Sequence, residues 1–324
     1  MNLGELLAAS ARQHPDRVAV VWDDGGRRRT YRELNERTDA LAAALVDELG
    51  VRPGDRVSVM MANRPEVLEI QNAVWRVGAT ISPLNPRYTA EEIQFIVNDS
   101  GAEVFFAGAD VANTVLPLAG QLPTKSWVVV GDAPDQTEGY TYEELLTKHT
   151  GAQVPPPETT DDDVAWLAYT SGTTGRPKGA MLTHGCLTFV GISWLADLQR
   201  LEPEDVGLVA APLTHGAGIM SLAFVMKGST QVIMAAFDAA SFLEQVAAEK
   251  VTHTWLVPTQ IKMILNSPKL DGADTSTLKT IVYGASPMYV EDLREAMARI
   301  GPVFVQLFAQ TESPMTGTYM GEAP

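Results

Sequence analysis

The densest concentration of chemically capable side chains is the run Tyr169-Thr170-Ser171-Gly172-Thr173-Thr174-Gly175-Arg176-Pro177-Lys178-Gly179. Its glycines allow the backbone to bend so that N–H groups can face an anion. The hydroxyls of Thr170, Ser171, Thr173 and Thr174 add donors, and Lys178 adds a compact positive charge. A loop so built suits phosphate. It lacks the adjacent Gly-Lys-Ser/Thr ending of a Walker A loop, so it is a different phosphate-binding device. A polar turn would explain a shorter run of this composition; it does not explain one of this length.

Three later segments stand in a fixed order after that run: Ala211-Pro212-Leu213-Thr214-His215-Gly216, Tyr283-Gly284-Ala285-Ser286-Pro287-Met288, and Gln306-Leu307-Phe308-Ala309-Gln310-Thr311-Glu312. Singly, His215, Phe308 and Glu312 would be read as ordinary core or surface residues. Together with the phosphate loop they resemble the adenylate-forming superfamily, which comprises acyl-CoA synthetases, peptide-synthetase adenylation domains and firefly-type luciferases. The resemblance extends to Thr30-Tyr31 with Glu33-Leu34 near the start. It implies an ATP-dependent acid–thiol ligase with ATP, Mg²⁺ and coenzyme A as cofactors. A carboxylate attacks the α-phosphate of ATP, pyrophosphate leaves, and a thiol then displaces AMP from the acyl-adenylate.

The same resemblance assigns roles. Thr170, Ser171, Gly172, Thr173, Thr174, Gly175 and Lys178 would hold the β- and γ-phosphates. Gly284, Ala285, Ser286 and Pro287 would form the turn against which adenine lies, and Gln306, Leu307, Phe308 and Ala309 the strand end beside it, with Phe308 stacking. Thr311 would contact the α-phosphate, and Glu312 would serve the metal. His215 would border the carboxylate, in a pocket with Gly216, Ala217, Met220, Ala309, Gln310 and Met315. Leu307 and Ala309 replace glycines of the family pattern, and Ala309 narrows the pocket wall. The family continues beyond its Thr-Glu motif with a small barrel, a hinge and a mobile C-terminal domain that carries a lysine for adenylation. None of these follows Glu312 before Pro324, so the thiol step has no residues here and the chain as given is expected to be a poor enzyme. Two rival readings remain. An amino-acid adenylation domain serving a carrier protein needs a carboxylate for the substrate ammonium, and Leu213 to Gly218 offers none. A non-catalytic nucleotide-binding remnant is the other. Phe237-Asp238-Ala239-Ala240-Ser241 reads as a helix cap, and Cys186 as a packing residue.

These segments need a frame. Candidate strands at Val18–Trp22, Arg56–Ala62, Glu103–Ala107, Trp127–Val130, Val164–Tyr169, Val206–Ala210, Gln231–Ala235, Thr252–Val257, Thr280–Tyr283 and Val303–Leu307 alternate with helical patterns. Thr30 with Glu33, Thr89 with Glu92 and Thr141 with Glu144 mark helix starts, and Pro65 suits a first helical position. The alternation predicts an α/β fold of two parallel-rich sheets sandwiched by helices, with ligands at the carboxyl ends of strands. Gln153 to Asp163, with three prolines and three aspartates, reads as a solvated linker. It separates a first α/β region, 1–155, from a second, 156–324, with the N-terminal part free to join the second sheet.

Composition narrows the class. Of 324 residues, 45% are hydrophobic and 20% charged, enough to build a sizeable core. A net charge of −16 disfavours nucleic acid and anionic membrane as partners. One cysteine forbids an internal disulfide and suits a reducing, cytoplasmic setting. No apolar run reaches the ~20 residues of a membrane span. The expected partner is a small carboxylic acid; a homo-oligomer is left open.

Overall fold

The computed structural model describes residues 1–22, 26–132, 139–170 and 176–320. The chain begins with helix α1 (Gly4–Gln13) and the antiparallel strands β1 (Val18–Trp22) and β2 (Arg27–Thr30). Helix α2 (Tyr31–Asp47) starts on a reciprocal capping box: Glu33 N–H donates to Thr30 Oγ1 at 3.2 Å, and Thr30 N–H donates to the Glu33 carboxylate at 2.7 Å. Strand β3 (Arg56–Met60) leads to α3 (Pro65–Arg76), whose first residue has no N–H to leave unpaired. Strand β4 (Thr80–Pro83) precedes α4 (Ala90–Ser100), opened by a second box between Thr89 and Glu92. Then come β5 (Val104–Gly108), the short α5 (Ala112–Val115), β6 (Ser126–Val130), β7 (Tyr140–Thr141) and α6 (Tyr142–Lys148). Next are β8 (Val164–Thr170), β9 (Lys178–Thr183), α7 (His184–Ser193), β10 (Val206–Val209), α8 (Gly216–Lys227), β11 (Thr230–Ile233) and α9 (Ala239–Glu249). The last elements are β12 (His253–Leu256), α10 (Pro258–Leu265), β13 (Thr280–Tyr283), α11 (Val290–Arg299), β14 (Phe304–Gln310) and β15 (Ser313–Met320). Asp238 caps α9 by accepting the Ser241 N–H at 2.8 Å, as its position suggested.

These strands form two sheets. One has seven strands in the order β7-β6-β5-β3-β4-β8-β9, parallel except for β8 with β9. The other has eight in the order β15-β14-β13-β12-β10-β11-β1-β2, parallel except at its two edges. The sheets therefore do not divide at residues 155 and 156. Strands β8 and β9, beyond that point, complete the first sheet, and β1 and β2 belong to the second. Sheet membership follows long-range pairing, such as Ile81 with Trp166 and Val20 with Gln231, which a local composition shift does not report.

The largest core lies between the sheets. Leu7 of α1, Leu41 of α2, Trp75 of α3 and Leu222 of α8 are buried there, each contributing roughly 1.5–3 kcal/mol by leaving water. A second core, with Phe242 and Ile261, packs α9 and α10 on the eight-stranded sheet, and a third, with Ile93 and Phe105, packs α4 on the seven-stranded one. Glu69 pins the middle layer. Its fully buried carboxylate accepts from Arg29 Nη1 at 2.6 Å, Arg37 Nε at 2.9 Å and the Tyr142 hydroxyl at 2.7 Å, joining α3 to β2, α2 and α6. The acidic connection is more than solvated chain. Asp161 pairs with the N-terminal ammonium at 2.6 Å, and Asp163 O accepts the His184 N–H at 2.9 Å.

Candidate active site

Strands β10, β12, β13 and β14 run parallel, so the loops that leave them emerge at one edge of the sheet. Those loops line a single cavity of about 310 Å³. The loop after β10 supplies Ala211, Pro212 and His215; Val257 follows β12, Ala285 follows β13, and Gln310 and Thr311 lie at the end of β14. The first turn of α8 adds Gly216 and Ala217, while Trp166 and Ala168 come from β8 of the other sheet. No Asp, Glu, Lys or Arg lines the cavity among the described residues. This is the crevice at strand carboxyl ends where open α/β sheets bind ligands.

A second cavity of about 330 Å³ meets the first at Trp166, Ala168, His215 and Thr311, and is further lined by Asn85, Tyr88, Thr170 and Thr214. Thr170 ends β8 and leads into the phosphate loop. Ser171, Gly172, Thr173, Thr174 and Gly175 lie outside the described residues. On the far side of that loop, Lys178 begins β9 directly opposite Thr170 in the antiparallel register, exposed and without an ion-pair partner among the described residues. Thr170 and Thr311 thus face one space, with Lys178 beside the first and Glu312 next to the second. The Tyr169 hydroxyl donates to Asp99 Oδ2 at 2.7 Å; burial, and then that bond, push the phenol well above its usual range.

Backbone conformation is unusual on two walls of the first cavity. Ala285 (φ 68°) and Met315 (φ 65°) adopt the left-handed conformation without being glycine. Such residues are costly and gather at functional sites. Between them, β14 alternates: Leu307 and Ala309 line the cavity, and Phe308 projects to the other side with 63% of its surface exposed. Gly284 permits the close approach of β13 and β14, because a Cβ there would lie 2.5 Å from the Leu307 carbonyl oxygen. Ser286 and Pro287 continue that turn, exposed, and Gln306 pairs across to Tyr283, whose hydroxyl donates to its Oε1 at 3.4 Å. Glu312 is exposed in the turn between β14 and β15. No group of three His, Cys, Asp or Glu side chains stands ready for a metal among the described residues. A lone carboxylate does fit Mg²⁺, which is commonly held by one or two carboxylates together with substrate phosphates.

His215 is open at the cavity mouth but hemmed in behind, and this partial desolvation holds its pKa below the ordinary histidine value. No carboxylate among the described residues opposes that shift, which favours the neutral ring. Met220, expected at the acid pocket, lies elsewhere. Helical periodicity turns Gly216 and Ile219 toward the large cavity, whereas Met220, Ser221 and Phe224 line a small space of about 20 Å³ against β10 and β12. Ala217 borders both. Sequence reasoning missed Trp166, Trp255 and Leu182 as cavity walls. Period-two alternation along β8 would have placed Trp166 and Ala168 on one face.

Comparisons with known proteins place the chain in a family. Feruloyl-CoA synthase of Amycolatopsis sp is 37% identical over 319 residues, covering 96% of this chain and 60% of that protein. Medium/long-chain-fatty-acid–CoA ligase FadD8 of Mycobacterium tuberculosis is 29% identical, covering 98% of this chain and 56% of that protein. The chain thus spans less than two thirds of these relatives' lengths. The inhibitor-bound N-terminal domain of FACL13 from Mycobacterium tuberculosis matches with a TM-score of 0.91 at 28% identity, covering 99% of this chain and 79% of that one. The model of the AMP-binding enzyme family matches residues 7–324, and the chain belongs to that family.

Proposed function

We propose that the protein activates a plain carboxylic acid, aromatic or aliphatic, to an acyl-adenylate and passes the acyl group to the thiol of coenzyme A. The observation that carries this reading is the uncharged cavity of about 310 Å³ that ends at His215 and Thr311 beside Thr170. Its apolar walls suit the body of an acid, and the absence of a lining carboxylate among the described residues disfavours an α-amino acid, whose buried ammonium would go unpaired. The acid's carboxylate would lie at His215, where desolvation favours the neutral ring and either ring form can donate a hydrogen bond. Lys178 and the hydroxyls of the phosphate loop would hold the β- and γ-phosphates, Thr311 would contact the α-phosphate, and Glu312 would help hold Mg²⁺, which would offset phosphate charge. Phe308 would stack on adenine over the turn at Gly284–Pro287. Catalysis of the first step is then positioning plus neutralisation of developing charge.

Residues 1–324 by themselves are expected to turn over slowly. Phe308, Lys178 and Glu312 face solvent, so an adenylate formed there would be open to water. A reducing cytoplasmic setting suits the unpaired Cys186. The test is acid-dependent exchange of pyrophosphate into ATP with a panel of aryl, fatty and α-amino acids. Aryl or fatty acids should lead. Exchange driven best by α-amino acids would overturn the substrate assignment, and no acid-dependent exchange in the full-length protein would overturn the activity.

A further inference from the structure

The backbone that carries His215 is held by two side-chain amides that lie outside every chemistry-bearing segment. Asn63 follows β3, and its carboxamide spans two groups of the loop after β10: Nδ2 donates to Ala211 O at 2.8 Å, and Leu213 N–H donates to Oδ1 at 2.7 Å. Two turns along α3, Gln71 Nε2 donates to Gly218 O at 3.0 Å. Three hydrogen bonds therefore bracket His215, two before it and one after. Only a carboxamide offers a donor and an acceptor side by side at that reach.

The supporting side is itself fixed. Ala62 N–H donates to Asp110 Oδ2 at 2.9 Å, Arg64 Nη1 to Val130 O at 2.9 Å and Arg64 Nε to Glu66 at 2.8 Å, so Asn63 stands between two anchored neighbours on the seven-stranded sheet. The supported side has little slack. His215 N–H donates to Pro212 O at 3.0 Å, and Gly218 N–H donates to His215 O at 2.9 Å. We propose that Asn63 and Gln71 are positioning residues for His215, transmitting the register of one sheet to the acid-binding loop of the other. The inference rests on the proposed acid-activating site. It predicts a one-sided defect: the acid is misplaced when the strap is cut, and the phosphate loop, on β8 and β9, is not.

The test uses the full-length enzyme with Asn63→Ala, Asn63→Asp, Gln71→Leu, His215→Ala and the double variants that pair each with His215→Ala. Asn63→Asp keeps the shape but cannot donate to Ala211 O. It and Asn63→Ala should raise KM for the acid about tenfold or more while KM for ATP changes little. With His215 already replaced, cutting the strap should cost almost nothing further, because coupled residues are non-additive. Should Asn63→Ala fail to fold, the isosteric Asp variant and Gln71→Leu carry the same measurement. Wild-type acid KM in Asn63→Asp, an equal rise in KM for ATP, or additive losses in the double variants would each overturn the proposal. Histidine-labelled NMR reads positioning without turnover: the His215 ring signal should move in Asn63→Asp while those of the other histidines stay. An unmoved His215 signal sinks the strap even in an active enzyme. A moved signal in a protein that exchanges pyrophosphate with no acid supports the strap and sinks the functional reading instead.

Discussion

Gly218, in the first turn of α8 after the loop proposed to bind the acid, is tightly packed, and replacing it with alanine separates fold from function. A Cβ at this position would collide with the Leu213 carbonyl oxygen and lie 2.8 Å from Trp166 Cη2 and 3.1 Å from Gln71 Oε1. The first of these neighbours is backbone and the second is a cavity wall, so neither can swing away as a flexible side chain would. Overpacking of this kind costs about 1–3 kcal/mol. Alanine returns about 1 kcal/mol of helix propensity in α8. The net loss of stability, roughly 0–2 kcal/mol, should leave a folded protein. Relief of the collision requires the loop bearing His215 to shift, and misplacement of about 1 Å at a reacting centre can cost ~10²-fold in rate. Gly218→Ala should therefore lower acid-dependent pyrophosphate exchange by about two orders of magnitude with only a modest fall in Tm. Exchange within a few-fold of wild type, in a variant of normal Tm, would show that the loop absorbs the methyl group and that its register does not set the rate.

Lys178→Ala should raise KM for ATP by roughly 10- to 100-fold, the worth of one hydrogen bond to a charged group; an unchanged KM in steady-state exchange would remove it from the phosphate site. Glu312→Gln should raise the Mg²⁺ concentration needed for half-maximal exchange, since an amide is a poorer ligand for a hard cation; an unaltered Mg²⁺ titration would reject that role. Acid should unfold the protein through two buried histidines, His184 and His253, whose pKa values desolvation lowers to about 4. Between about 4 and the ordinary 6.5 the unfolded chain binds more protons than the native one, so stability is full above the upper value and falls with pH by up to about 3 kcal/mol per histidine, and flat urea midpoints from pH 7 to 4.5 would contradict this.

Local chemistry was legible where it is self-contained. The Thr30 and Thr89 boxes form as their spacing suggests, because donor and acceptor lie within one turn. The Thr141–Glu144 pair does not complete a box: the Thr141 hydroxyl donates to Glu144, and no backbone bond accompanies it. Strand β2 escaped notice because Arg27-Arg28-Arg29-Thr30 shows no apolar alternation. It is a sheet edge, where charge replaces hydrophobicity: Arg28 reaches Glu249, and Arg29 reaches buried Glu69 while lying over Trp22. Strand β9 was hidden for a related reason, since Lys178-Gly179-Ala180-Met181 resembles a loop until β8 pairs with it. The site divides in the same way. The residues proposed to touch ligand cluster in short runs and can be read in order. The walls, Trp166 and Trp255, come from different sheets and meet only in the folded chain.

That division reflects how such a site must be built. The groups proposed to hold the nucleotide, Lys178, Phe308 and Glu312, are exposed, as groups that must admit and release a ligand should be. Their precision has to come from elsewhere. Ala285 and Met315 hold left-handed conformations that cost about 1–2 kcal/mol each without glycine, and such strain survives only where packing over-determines it. Packing of this kind is present at both. Beside Ala285, Gly284 leaves no room over the Leu307 carbonyl, and Met315 Cε occupies the space above Gly216. Behind them, Glu69 with Arg29, Arg37 and Tyr142 ties three helices and an edge strand into one layer. Losing both arginines there would leave a buried carboxylate uncompensated, at a cost of about 3–5 kcal/mol. A scaffold that resists rearrangement so strongly can hold strained, exposed residues in register without enclosing them, which is why the site can be both open and exact in geometry.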